Sequence, residues 1–263
     1  MKIIVLILAL TLTSCNSGIN KDKSNNVSSK VEVISKKDIG YELTKQYCYV
    51  CHMPKSKESM IAPPLFRVKE HYKPSYPVKK DFIKAIVNWV QNPDEDKVMM
   101  PGAVRKFNLM PSQAHIPIDT LKLIAAYIFE NEIERPRFHN GSMNRNRKRF
   151  GDNSITLDNG AKWKVGNKVF ATVAKLQKMT ESFESGSSSD YQEFGKKIFD
   201  SSKVILLDKE NKGKIWEQLH NYFNNLEGDM HSLIGVNSVD EGELILQRID
   251  RKLRSFNDYF EKG

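Results

Sequence analysis

An all-α protein is expected from three observations. Past residue 35 the apolar residues of successive segments recur at three- and four-residue intervals, the period of a helix with one buried face. Helix-start signals stand where those segments begin, as in Ser238-Val239-Asp240-Glu241. Breakers such as Pro93 and Gly186-Ser187-Ser188-Ser189 stand where the pattern lapses. The chain has 263 residues, 40% hydrophobic and 28% charged, enough for two modest globular domains. Collagen, mucin and multi-span membrane classes are excluded, and three cysteines in so long a chain cannot form a disulfide scaffold.

Taken in order, residues 1–14 read as a signal peptide: Lys2 is a short positive region, Ile3 to Leu12 an apolar one, and Leu12-Thr13-Ser14-Cys15 closes it. Ten apolar residues are too few to span a bilayer. The ending resembles the lipobox of bacterial lipoproteins, which implies lipidation of Cys15 and a stable anchor in a membrane. Residues 15–35, rich in Asn, Ser and Lys, have almost nothing to bury and read as a flexible tether. No acidic cluster follows Cys15, which favours a protein held on the periplasmic side of a bacterial membrane.

The strongest chemical signal is Cys48-Tyr49-Val50-Cys51-His52, a C-x-x-C-H motif in a helical-looking segment. Two thiols one helical turn apart can both bond one haem, with the adjacent His52 placed beneath the iron as axial ligand. A thioredoxin-like redox pair would want a strand before the motif. Zinc would want a second cysteine pair, which the chain lacks. One covalent haem c is therefore expected.

Residues 36–135 resemble class I c-type cytochromes. Gly40 lies eight residues before Cys48 in an amphipathic segment, and in the family that glycine meets a C-terminal helix. The matching helix is Asp119 to Glu132, with Leu121, Ile124, Ala125 and Ile128 on one face, Tyr127 beside them, and Asp119 as its expected N-cap. Ala62-Pro63-Pro64-Leu65 is similar to the family's Gly-Pro-x-Leu, with alanine for glycine. The resemblance implies that the Pro63 carbonyl accepts the second ring N–H of His52. It also implies Met110 as the sixth ligand, because Met110 lies 17 residues before Tyr127 as in the family, whereas the alternative Met100 lies 27 before it. His71, His115 or an open position complete the alternatives.

Between these pieces Asp81 to Gln91 reads as another helix ending before Pro93, with Trp89 either lining the haem pocket or packing in the core, and 99–104 reads as a pocket wall. Residues 36–135 carry 16 basic and 12 acidic groups, and residues 136–168 carry 8 and 2, a basic connector. Acidic surfaces of donor and acceptor proteins, or an anionic membrane, suit this charge; nucleic acid is an implausible partner in the periplasm. Residues 169–263 hold four amphipathic segments, expected to form an up-down helical bundle of unknown role. His220 and His231 lie eleven residues apart, about 16 Å along one helix, too far to share an ion, so no second metal centre is expected there.

The expected whole is a cytochrome c fold followed by a helical bundle, with Cys48 and Cys51 tethering haem and His52 and Met110 ligating iron. It would carry single electrons, serving a respiratory chain rather than acting as an enzyme, since no coordination position is left for a substrate. The alternatives are a haem sensor or haem enzyme with an open or labile sixth position, or an electron-input module of a larger membrane complex. Replacing Cys15 by serine should release the protein from the membrane fraction to the soluble one, read by immunoblot after fractionation.

Overall fold

The computed structural model describes residues 35–137 and 154–263. The signal peptide, the lipidation site Cys15, the tether up to residue 34 and the basic residues Arg145, Arg147, Lys148 and Arg149 lie outside the described residues.

The first helix, α1 (Lys36–Tyr47), starts on a reciprocal cap. Ser35 Oγ accepts from the Asp38 N–H at 3.2 Å, and Asp38 Oδ2 accepts from the Ser35 N–H at 3.2 Å. A short turn, α2 (Tyr49–His52), continues it, and after a loop Pro64 begins α3 (Leu65–Ser75). Then come α4 (Lys79–Gln91), a 3-10 turn at Glu95–Lys97, α5 (Pro101–Phe107) and α6 (Ile118–Glu130). Pro101 opens α5 at a position where its missing N–H costs nothing. Asp119 is not the cap of α6: Pro117 holds that place, and Asp119 sits in the first turn paired with Lys122 at 3.0 Å.

Phe82, Ile86 and Val87 of α4 meet Leu121, Ile124, Ala125 and Ile128 of α6 in one core. α1 crosses α6 at Gly40, where a Cβ would stand 2.7 Å from Tyr127 Cβ and 3.1 Å from the Leu123 carbonyl oxygen. Only a residue without a side chain permits that approach, as the sequence anticipates. Trp89 is half-buried against the same core.

The C-terminal half holds β1 (Trp163–Val165), α7 (Asn167–Glu181), α8 (Ser188–Leu207), α9 (Gly213–Ile234), α10 (Val239–Arg254), α11 (Phe256–Tyr259) and β2 (Phe260–Lys262). α7 packs on α8, α8 on α9, α9 on α10 and α10 back on α7, closing a four-helix ring around Leu176, Ile198, Leu219, Phe223, Leu226, Ile249 and Leu253. The apolar spacing anticipates all four helices. The two strands it misses: β1 and β2 pair in parallel, Trp163 with Phe260 and Val165 with Lys262. At three residues each they are too short for an alternating pattern to register. β1 also lies in what reads as connector, whose described part is folded onto α9 through Thr156 N–H to Gln218 Oε1 at 2.9 Å, and β2 follows the last bundle helix.

The two halves pack together in one compact unit. α3 packs on α9 and α5 on α8. The stretch 99–104, expected as a pocket wall, is docked on the bundle: Gly102 lies so close to His220 that a Cβ would stand 2.3 Å from its Cε1. Met99 packs against both cores. Gly40→Ala should destabilise the protein by about 1–3 kcal/mol, because Tyr127 is 7% exposed and has little room to yield, as read by chemical denaturation.

Candidate functional site

Cys48 ends α1 and begins α2, so the motif lies on one continuous helical path. The N–H groups of Cys51 and His52 both bond the Cys48 carbonyl oxygen, at 3.2 and 2.9 Å. This closes the turn that brings the cysteines to the same side. Cys51 is exposed, Cys48 is half-buried, and they form no disulfide. Burial pushes the Cys48 thiol up to about 11, with the neighbouring Cys51 adding to the shift.

His52 Nδ1 stands 2.6 Å from the Pro63 carbonyl oxygen. A carbonyl can only accept, so Nδ1 carries the proton and Nε2 keeps its lone pair. Burial lowers the pKa of His52 and keeps the ring neutral, against the opposing pull of that hydrogen bond. The result is an imidazole with fixed orientation and one free basic nitrogen, the state a metal requires. Pro64 is buried at the start of α3, which holds the Pro63 carbonyl in place. Val50 and Ile61, 75% and 65% exposed, flank the turn and the loop after it, offering apolar surface to a flat apolar group. Two thiols, a fixed imidazole and apolar neighbours fit a covalently held haem.

Met110 is half-buried in an irregular segment after Asn108, whose φ is 66°. That segment is fastened to the end of α4 by the Gln113 N–H on the Val90 carbonyl at 2.9 Å and by Ser112 Oγ on the Gln91 carbonyl. Met100 caps α5 instead, beside residues docked on the bundle. His115 is exposed.

A second constellation joins residues the sequence keeps far apart. His71 on α3 and Glu227 and His231 on α9 each place one ligand atom within 4.8 Å of the others. His71 Nδ1 lies 3.7 Å from Glu227 Oε2. The two imidazole rings meet edge to face, their centroids 5.6 Å apart. His231 Nε2 is 3.1 Å from the Met99 carbonyl, and its Nδ1 is 3.1 Å from Ser75 Oγ. Burial drives every member toward its neutral form: Glu227 is pushed up to about 8, His71 down to about 4 and His231 down to about 3. The His71–Glu227 approach is therefore not an ion pair at neutral pH. Glu227 and His231 sit one turn apart, a spacing legible in the sequence, but nothing there reveals that α3 delivers His71 to them. His220 stays outside the group, stacked on Trp216 at 5.1 Å.

No protein-family profile matches the chain, and no solved structure matches it. An uncharacterized protein of Aquifex aeolicus (strain VF5) is similar, 30% identical over 89 residues, which cover 27% of this chain and 59% of that protein. The chain thus spans less than two thirds of that relative's length.

In the haem-free chain at pH 8, an alkylating reagent should modify exposed Cys51 at least roughly tenfold faster than Cys48, whose thiolate is disfavoured by burial, as followed by peptide mass spectrometry.

Proposed function

We propose that this protein is a one-electron carrier, a membrane-anchored c-type cytochrome with a single covalent haem. The observation that carries the reading is the 2.6 Å contact between His52 Nδ1 and the Pro63 carbonyl, made on the turn that also presents Cys48 and Cys51. A structural histidine needs no fixed lone pair beside two thiols on one turn; an axial ligand does. The α1–α6 crossing at Gly40 and Tyr127 supports the likeness to class I cytochromes.

In this reading Cys48 and Cys51 would hold the haem, and His52, through Nε2, and Met110 would ligate its iron. When bound, the haem supplies reversible one-electron chemistry at iron. The chain's own contribution is positional. Pro63 fixes the ring of His52 and increases its basicity, and the Val90 and Gln91 carbonyls anchor the segment carrying Met110. A thioether raises the potential relative to a second histidine, which suits electron delivery to a respiratory acceptor. Lipid on Cys15 would keep the carrier at the membrane facing the periplasm.

The haem-loaded protein should show a weak sulfur-to-iron absorption band when oxidised and should not bind carbon monoxide when reduced. Met110→Ala should lose the band and bind carbon monoxide, while Cys48→Ala with Cys51→Ala should lose covalent haem altogether. A high-spin wild type that binds carbon monoxide readily would overturn closed ligation and turn the reading toward sensing or catalysis. A chain that takes no covalent haem in a host with haem-attachment machinery would overturn the cytochrome reading itself.

A further inference from the structure

The electron-carrier reading leaves the cluster between α3 and α9 unused. Glu227 is 4% exposed and His231 is fully buried, and no acid or imidazole is placed so deeply without a partner at no cost. Yet the partners are incomplete. His71 Nδ1 and Glu227 Oε1 are both buried without a hydrogen bond. Two unsatisfied atoms on side chains that approach to 3.7 Å, beside a third ligating side chain, are what a bound cation would satisfy.

The donor set narrows the ion. Two imidazoles and a carboxylate suit a divalent transition metal, zinc above all, rather than calcium or magnesium, which take oxygen ligands. The nitrogen chemistry is already in order. The Met99 carbonyl accepts from His231 Nε2, so His231 Nδ1 carries a lone pair. The only hydroxyl proton of Ser75 can go either to that nitrogen or to the His231 carbonyl at 3.2 Å, which leaves the lone pair open to a metal. Both rings are held neutral, as ligands must be, and a cation would convert Glu227 to its carboxylate by direct attraction. Bonds of about 2.0–2.2 Å bring tetrahedral ligands to roughly 3.4 Å of one another. From separations of up to 4.8 Å, rotation of the Glu227 and His71 side chains closes the difference. Of the cations that act on the cluster, Lys203 is engaged by Asp200 at 2.7 Å and the Asp96 carbonyl at 3.1 Å, and Arg67 by Glu70 at 2.8 Å. His71 keeps 16% of its side chain exposed, a route from solvent.

We propose that His71, Glu227 and His231 form a buried site for a divalent transition cation, zinc by class, that fastens the α3 half of the protein to the bundle.

The test uses the full chain, haem-loaded and stripped with a chelator, titrated with zinc chloride by calorimetry. It is repeated with Cys48 and Cys51 both replaced by serine, so that thiols cannot take the ion. One zinc per chain should remain after dialysis in both proteins, with a higher melting temperature than the stripped form. Glu227→Gln and His71→Ala should each weaken binding at least about a hundredfold and abolish the rise, with circular dichroism unchanged. His71, at the edge of the site, carries the test should Glu227→Gln fail to fold. A folded wild type that retains no zinc, zinc lost with the cysteines, or variants that bind like wild type would each overturn the proposal. None of these outcomes depends on haem ligation, because the readouts are zinc content and melting temperature.

Discussion

Burial of α9 on opposite sides is the constraint on which the rest of the structure depends. One side carries Leu219, Tyr222, Phe223, Leu226 and Leu233 into the bundle core. Another carries Glu227 and His231 against α3. Glu227 and His231 are almost wholly buried there, so the polar groups they turn toward α3 must be answered by protein or by an ion. Ser75 and Met99 answer His231, while His71 Nδ1 and Glu227 Oε1 are left over on side chains that approach to 3.7 Å. The N-terminal half is thus held against a fixed surface and not merely tethered to it.

How much of this was legible in the sequence varies with the range of the interaction. The four bundle helices were, because each repeats apolar residues with its own period and needs no partner to be recognised. The turn bearing Cys48, Cys51 and His52 was too, since its chemistry is contained in five consecutive residues. The contacts from Gly40 to Tyr127 and from His52 to Pro63 were reached through resemblance, which supplies long-range pairings that periodicity cannot.

What escaped was whatever depends on two distant segments at once. The contact of α3 with α9 is one of these, because the face that α3 turns to α9 is polar: Ser75 and His71 are among its buried or half-buried side chains. A helix whose interface is built from such residues has no apolar stripe to announce it. Likewise the stretch 99–104 reads as a pocket wall, and only the approach of His220 to Gly102 explains why a glycine follows Pro101 in the first turn of α5. His220 and His231 stand about three turns apart on α9, and the partner that His231 does meet comes from a helix more than 150 positions earlier in the chain.

The pairing of β1 with β2 has a mechanical side. The strands run parallel, with Trp163 opposite Phe260 and Val165 opposite Lys262, and the Gly263 N–H adds a bond to the Val165 carbonyl at 2.9 Å. Tension that enters through the chain before β1 and leaves beyond β2 pulls the strands past one another lengthwise. Their hydrogen bonds then bear the load together instead of opening one after another as in a zipper. A pull applied between the chain ahead of β1 and the residues beyond β2 would meet this clasp before the helices α7 to α11 that lie between the two strands in sequence.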